Sequence, residues 1–348
     1  MSLRRAGAVA RRIVLQFRRD HRSLGLLFVA PMIVLTLVGA LWGGSITHTV
    51  RVVAADVDPQ LFEALRGTEI ELTALDHDAA IEALKGGRAD AMIEIAENLA
   101  TVTVEGSDPT RTAAIVGQVE AALTHFLIDV PLSQLVKVNY LYGGPDYTLL
   151  DYLAPVLIAV FAFFFIFLLS TVSFLRERTS GTLERLLATP LTRGELVLGY
   201  LGGFALFALL QALVILAFTV FVLKVQYRGN LATIFLVEAV LVVGSVSLGL
   251  AISAFARNEL QAVQFVPLIL LPQIFLSGLL VPVDQLNDVL RALSNVMPLT
   301  YANEALRSVM VKGYLLTDPL IVRDIGILAA FALLMAVAAV ASIRREVA

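Results

Sequence analysis

Residues 152–175, with the sequence YLAPVLIAVFAFFFIFLLSTVSFL, form 24 consecutive positions without Asp, Glu, Lys or Arg. About 20 predominantly apolar residues suffice for a helix to cross the hydrocarbon core of a bilayer, so this stretch predicts a transmembrane helix. Five further stretches are similarly long and apolar: residues 23–50, 196–223, 229–256, 260–283 and 325–343. Only the stretch 229–256 holds a charged residue, Glu238. The sequence therefore predicts an α-helical integral membrane protein with six transmembrane helices.

The composition excludes several classes of protein. Of the 348 residues, 58% are hydrophobic and 16% charged, against about 45–50% and 25% in soluble domains. A wholly soluble enzyme and a disordered protein are therefore excluded, and a net charge of −3 argues against nucleic acid as a partner. Because the chain has no cysteine and its four histidines lack ligand spacing, we predict no metal or other cofactor in this chain and no disulfide scaffold.

The distribution of basic residues predicts the orientation. Cytoplasmic loops carry an excess of Lys and Arg. The two termini and the segments on their side hold fourteen such residues, whereas the short loops on the other side hold six. We therefore expect both termini in the cytoplasm.

The segment between the first two spans differs from the rest of the chain. Residues 51–151 hold 17 acidic and six basic residues, which is typical of a soluble domain. Strands alternate with helices in its pattern, so we predict an extracytoplasmic α/β domain over 44–150, after a first transmembrane helix over 23–43. The predicted helices begin after Asp58, cover 78–85 and begin after Ser107; the predicted strands are Val50–Ala55, Glu69–Thr73, Ala91–Ile95 and Thr101–Glu105.

Residues 1–22 have the pattern of a cytoplasmic amphipathic helix. Basic pairs recur every seven residues, opposite an apolar stripe with steps of three and four. One hypothesis is a helix on the inner leaflet, with its arginines toward anionic lipid headgroups. The alternative is a plain topology signal. The six arginines concerned are Arg4, Arg5, Arg11, Arg12, Arg18 and Arg19.

The segment 176–194, RERTSGTLERLLATPLTRG, is predicted to be a cytoplasmic loop with a short helix over Thr182–Ala188. Its leucines share one face, and Pro190 ends the helix. Thr192 and Glu195 then fit a capping box that begins the third span. A short helix with one apolar face is suited to docking in another protein's groove, and the alternative is that it packs on its own bundle.

Two stretches resemble a known family. Residues 176–200, RERTSGTLERLLATPLTRGELVLGY, and residues 253–307, from SAFARNELQ to ANEALR, resemble the ABC-2 type membrane permeases, the membrane subunits of ATP-binding cassette exporters. This resemblance implies a bacterial plasma (inner) membrane location and a short cytoplasmic helix coupled to an ATPase subunit. The residues to which that coupling role would fall are Gly181, Thr182, Leu183, Glu184, Arg185, Leu186 and Leu187.

The resemblance also implies partners. The chain lacks the G-x-x-x-x-G-K-[ST] phosphate loop, so ATP and Mg would be bound by a separate ATP-binding cassette ATPase, and the chain itself is not expected to be an enzyme. A second permease copy, as a homodimer, membrane lipid and an amphipathic small-molecule or lipid substrate complete the expected partners. The alternative function is a membrane-anchored sensor or interaction protein built on a permease-like scaffold.

Residues 151–348 contain the remaining five predicted spans and two further features. Prolines and mixed polarity over 283–320 predict short helices dipping into the outer leaflet, with an ordinary external loop as the alternative. Glu238 is the one acid within a span. It is either a substrate contact in a cavity or a structural partner of a polar group such as Gln211.

Overall fold

The computed structural model describes residues 2–41, 50–55, 70–86, 88–96, 99–107, 112, 115–116, 136–144, 147–279 and 283–343. The chain forms two compact units. The helical unit comprises Met1–Ala40 and Leu153–Ala348, and the insert comprises Leu41–Tyr152.

Helices account for most of the described chain. In order they are α1 (Leu3–Arg18), α2 (His21–Leu41), α3 (His77–Lys85), α4 (Leu149–Thr179), α5 (Thr182–Leu187), α6 (Arg193–Ala217), α7 (Leu231–Ser253), α8 (Glu259–Leu276), α9 (Asp288–Ser294), α10 (Pro298–Met310) and α11 (Pro319–Ser342). A π-helical turn, Phe218–Val222, continues α6.

Five helices are long and apolar enough to cross a membrane: α4, α6 with its π-helical turn, α7, α8 and α11. A sixth span results if α1 and α2 are taken together, and the bend between them is 70°. Each of the six apolar stretches predicted from the sequence holds one of these helices, the first of them α2. The predicted helical membrane protein is thus confirmed, with five or six candidate spans.

Close contact between α4 and α7 depends on a glycine. An added Cβ at Gly249 would lie 2.0 Å from Ser170 Oγ and 3.0 Å from the carbonyl oxygen of Phe167. About one turn away, Ser245 donates a 2.6 Å hydrogen bond to the carbonyl of Phe163. Small residues let helix backbones approach closely in a membrane, where apolar burial alone provides little drive for helix association.

Beside a small cluster of Leu175, Ala256 and Ala262, the helical unit contains a larger hydrophobic cluster. Its buried side chains come from seven helices, so the short helices α1 and α5 belong to the same core as the long ones. Representative members are Ile13, Leu27, Ile166, Leu183, Phe204, Val246 and Ala339.

The insert contains a five-stranded sheet of order β2-β1-β3-β4-β5. The β3–β4 pair is antiparallel and the other three pairs are parallel. The strands are β1 (Val50–Ala55), β2 (Ile70–Ala74), β3 (Ala91–Ala96), β4 (Leu99–Val104) and β5 (Val136–Tyr140). Helix α3 begins at the cap Asp76 and buries Ala80, Ala83 and Leu84 in a small cluster with Met92.

The four strands predicted in this segment and the helix over 78–85 are confirmed; β1 has the predicted ends, and the ends of the others differ by one or two residues. Strand β5 was missed because the helix predicted to begin after Ser107 was extended toward the second span, across these residues. The predicted helix after Asp58 lies outside the described residues, as does most of the helix predicted to begin after Ser107. The location of the insert outside the cytoplasm stays a prediction.

The segment 283–320 is largely helical, with a 3₁₀ turn at Val283–Gln285 followed by α9 and α10. Two side chains anchor it to the end of α8. Ser294 donates to the carbonyl of Leu276 at 2.8 Å, and Asn303 donates to that of Ser277 at 3.1 Å. Short helices are therefore present as predicted, and their depth in the outer leaflet stays a prediction.

We predict that Gly249→Leu lowers the thermal unfolding midpoint of the purified protein in detergent. The side chain would be forced against α4, and overpacking of this kind costs about 1–3 kcal/mol. Gly326→Leu in α11 is the matched control, because an added Cβ there meets nothing within 4 Å. Equal midpoints for the two variants would contradict the close packing of α4 and α7.

Candidate functional site

Helix α1 lies in a groove of small residues on α6. Its apolar face is buried, with side chains at steps of three and four: Ala6, Val9, Ile13 and Phe17. An added Cβ at Gly199 would lie 2.5 Å from Val9 Cβ, and one at Gly203 would lie 2.7 Å from Ile13 Cβ. The apolar stripe predicted to face lipid therefore packs on protein, because two glycines one turn apart leave a groove that fits it.

The six predicted lipid-facing arginines fall into two groups. Arg5 donates to the carbonyl of Pro190 and lies 3.9 Å from a carboxylate oxygen of Glu195. Arg12 donates to both carboxylate oxygens of Glu177, at 2.8 and 2.9 Å. Arg5 nevertheless stays about half exposed, and four further arginines are exposed, so all five can meet lipid headgroups, whereas Arg12 is held by Glu177: the four are Arg4, Arg11, Arg18 and Arg19.

Glu195 joins the beginnings of α1 and α6. The predicted capping box is confirmed: the backbone N–H of Thr192 donates to Glu195 Oε2 at 2.9 Å, and that of Glu195 donates to Thr192 Oγ1 at 3.2 Å. The other carboxylate oxygen accepts from the backbone N–H of Ser2. One side chain, only 2% exposed, therefore caps one helix and holds the first residue before another.

The short helix of the loop, α5, forms where it was predicted. It begins after Gly181, whose φ of 70° lies in the left-handed region that glycine adopts without strain. Leu183 is buried in the core of the helical unit, and Leu186 and Leu187 pack partly against it. Much of the apolar face that we predicted to dock on a partner is therefore turned to the bundle, as the alternative interpretation of this loop requires.

The outward face of α5 is polar. Glu184 and Arg185 are exposed, as are Ala188, Thr189 and Pro190 just after the helix. The helix is six residues long and lies in sequence between the end of α4 and the beginning of α6, and its leucines are buried or half-buried. A partner at this loop would thus meet a charged surface with a small apolar margin.

Three consecutive residues before α5 reach three different elements. Arg176 makes a two-point contact with Glu259 at the beginning of α8, at 3.0 and 3.3 Å. Glu177 accepts from Arg12 of α1. Arg178 donates to the carbonyls of Ser253, Ala254 and Ala256, which end α7 and lead into α8.

We call Arg176, Glu177 and Arg178 the charged triplet. It connects the end of α4 to α1, to α8 and to the connection between α7 and α8, and α5 begins four positions after Arg178. No role was predicted for these residues from the sequence, although they begin the loop 176–194. Three consecutive charged residues with long side chains at the end of a span were a visible signal. Their partners lie 75–165 positions away, so the sequence did not identify them.

The intramembrane acid Glu238 is fully buried, and neither of its carboxylate oxygens has a hydrogen-bond partner within the described residues. The amide nitrogen of Gln211 donates instead to the carbonyl of Phe161 at 3.2 Å. The structure does not bring the two side chains together through a hydrogen bond. Burial at zero exposure also places Glu238 away from any open surface of this chain.

Comparison with known proteins agrees with this architecture. Residues 21–341 match the family described as ABC-2 family transporter protein. The chain belongs to the ABC-2 family. The resemblance seen in residues 176–200 and 253–307 is thus confirmed, and the chain is a multi-pass membrane protein of the ABC-2 permease type.

Individual relatives match over parts of the chain. It is 34% identical over 139 residues to the probable multidrug ABC transporter permease YbhS of Escherichia coli (strain K12), covering 40% of this chain and 37% of that protein. It is 28% identical over 180 residues to the probable multidrug ABC transporter permease YbhR of the same strain, covering 52% and 48%. ABC transporter G family member 20 of Dictyostelium discoideum is 33% identical over 172 residues, covering 49% and 24%. The matches span less than half the length of each of these relatives.

We predict that Gly203→Ala loosens α1 from α6 in this ABC-2 permease. Because the chain has no native cysteine, Ala6→Cys provides a unique probe on the buried face. An added methyl group at Gly203 must displace Ile13, and a loss of about 1.4 kcal/mol would raise the labelling rate by maleimide about tenfold.

Gly202→Ala is the matched control for this prediction. The Cβ added at position 202 would lie 3.6 Å from Ala10 Cβ, which is an ordinary contact. Both variants replace glycine by alanine within α6, so they change its helix propensity equally. If the cysteine introduced in place of Ala6 is labelled at the same rate with and without Gly203→Ala, α1 does not depend on the groove.

Proposed function

We propose that this chain is the membrane subunit of an ATP-driven exporter of amphipathic or lipid-like molecules. ATP and Mg would be bound by a separate ATP-binding cassette ATPase, which docks at the loop of α5. Both termini and this loop would lie in the cytoplasm of a bacterial cell, with the insert on the opposite side of the plasma membrane. Two copies of the chain and two ATPases would form the working complex.

The charged triplet is the observation that carries this proposal. A push on α5 would be transmitted to α1 through Glu177, to α8 through Arg176 and to the end of α7 through Arg178. Arginine is suited to this task, because its planar guanidinium can bind several acceptors in a fixed geometry. The loop is thus connected to the parts of the bundle whose movement would open or close a path.

The surface on which the ATPase would dock is inferred from the exposed side chains of α5. Glu184 and Arg185 face outward, whereas Leu183 is held by the core. Charged pairs at the edge of an interface set register and partner choice more than raw affinity. We therefore assign recognition of the ATPase to these two side chains and the covered leucines to the fixed position of the helix.

The first test exchanges the two charges, Glu184→Arg with Arg185→Glu. Net charge and length are kept while the pattern seen by a partner is inverted, and like charges across an interface cost several kcal/mol. The tagged chain should recover an ATP-binding cassette ATPase from its host, identified by mass spectrometry, and the exchanged variant should recover at least about tenfold less.

The control for this exchange is Glu82→Lys with Lys85→Glu on α3, an exposed pair in the insert. It should recover the ATPase at the wild-type level. Recovery of no such ATPase by the wild-type chain, or equal recovery by the loop variant, would overturn the proposal.

The second test separates docking from transmission. Arg178→Lys keeps the charge, but an ammonium group cannot bind three carbonyls with the geometry of a guanidinium. We expect the complex to keep its ATPase and its ATP hydrolysis, while an ATP-dependent fluorescence change of a label at Leu26→Cys on α2 falls at least severalfold.

Arg193→Lys, an exposed arginine at the first position of α6, is the matched control and should leave the fluorescence change intact. If Arg178→Lys behaves like Arg193→Lys, the triplet stabilises the bundle without carrying movement.

A further inference from the structure

The helical unit contains a cavity of about 630 Å³ that is lined by α1, α2, α4, α5 and α8. This volume falls within the range of about 300–1,000 Å³ that is usual for small-molecule sites. Of its 17 lining residues, eight are apolar, five are polar without charge and four are charged. Such a wall fits a molecule with a polar head and an apolar body, and the bonding state of the polar groups decides which head it accepts.

The charged side chains of the wall are already engaged by partners in the protein. Their contacts are those of Arg12 with Glu177 at 2.8 and 2.9 Å, of Arg176 with Glu259 at 3.0 and 3.3 Å, and of Asp20 with the backbone N–H and hydroxyl of Ser23 at 3.1 and 2.7 Å. The two acids and two bases that line the cavity also cancel in formal charge. An ionised head would lose its hydration there and find no free counter-charge, so the wall disfavours both anions and cations.

Two uncharged polar side chains of the wall remain available. The carboxamide of Gln16 and the hydroxyl of Ser173 line the cavity and make no hydrogen bond in the part of the chain that the structure describes. Gln16 follows Arg12 by one turn of α1, and Ser173 precedes Glu177 by one turn of α4, so both lie beside the ion pair that joins the two helices. A carboxamide and a hydroxyl each donate and accept, which matches an uncharged head such as a diol.

The apolar part of the wall continues from Ser173 along α4. Leu169 and Phe165 line the cavity one and two turns before Ser173, over about 12 Å of helix. Leu26 of α2 and Val263 of α8 line it as well and are 56% and 47% exposed. In a membrane such side chains face lipid, so an apolar chain can enter this side of the cavity from the bilayer.

We propose that this cavity binds one uncharged amphipathic molecule, with a hydroxyl-bearing or amide-bearing head on Gln16 and Ser173 and an apolar chain along α4. The molecule would bridge α1 and α4 next to the charged triplet. The site belongs to the isolated chain and needs no ATPase, so it stands or falls separately from the proposed function.

The test uses three probes that share a decyl chain carrying a photoactivatable diazirine and differ only in the head. The heads are an uncharged glyceryl ether, an anionic sulfate and a cationic trimethylammonium. The purified full chain in phosphatidylcholine nanodiscs is illuminated with each probe, and labelled residues are located by mass spectrometry of its peptides. Labelling of residues 165–173 is divided by labelling of the exposed face of α6, which corrects for partitioning into the bilayer. This ratio should be about tenfold higher for the glyceryl ether than for either ion.

Two variants with matched controls locate the site. Ser173→Ala should lower the ratio for the glyceryl ether about fivefold, because it removes an available hydroxyl. Ser180→Ala makes the same change in the same cavity, but that hydroxyl already contacts the hydroxyl of Thr182 at 3.0 Å, so the ratio should not fall. Leu169→Trp fills the apolar wall and should abolish labelling there. Leu334→Trp, on an exposed face of α11 outside the cavity, should not.

Each outcome decides the proposal. A preference for the glyceryl ether that Ser173→Ala and Leu169→Trp reduce, and their controls leave unchanged, supports it. If Leu169→Trp does not fold, Ser173→Ala against Ser180→Ala decides. Equal ratios for the three heads, or a higher ratio for an ion, overturn the uncharged head. Labelling that Leu169→Trp leaves unchanged overturns the site, as does protection from all three probes by a second copy that covers the cavity.

Discussion

The arrangement of the helical unit depends on the charged triplet at the end of α4. Arg176, Glu177 and Arg178 fix that end to α1, to α8 and to the connection that follows α7. These contacts fix the positions of the helices more than they lower the free energy of the fold. The Arg176–Glu259 pair is about half exposed on both sides, and exposed ion pairs stabilise proteins by only about 0–1 kcal/mol. What the triplet provides is a fixed distance between the loop that carries the exposed face of α5 and the helices α1, α7 and α8.

The sequence predicted the helices well because membrane burial imposes one strong rule. Charge-free stretches of about 20 residues seldom occur outside membrane spans, so α4, α6, α7, α8 and α11 were found together with their approximate ends. The capping box of Thr192 and Glu195 was found for a similar reason, since both partners lie within one turn. Local rules of this kind need no knowledge of the rest of the fold.

The site was harder to predict because its contacts are remote in sequence. The amphipathic pattern of α1 was recognised, but an apolar stripe has the same pattern whether lipid or protein covers it. Only the glycines of α6 distinguish the two cases, and their partners Val9 and Ile13 lie 190 positions earlier. The leucines of α5 posed the same problem, since half-burial against the bundle and docking on a partner require the same side chains.

The groove at Gly199 and Gly203 has a consequence for how copies of this chain can assemble. Small residues spaced four apart are a common means of self-association between transmembrane helices, because they let two backbones touch. Here the position is already taken by a helix of the same polypeptide. The chain thereby covers this small-residue face itself, and a contact between two copies must use other faces of the bundle.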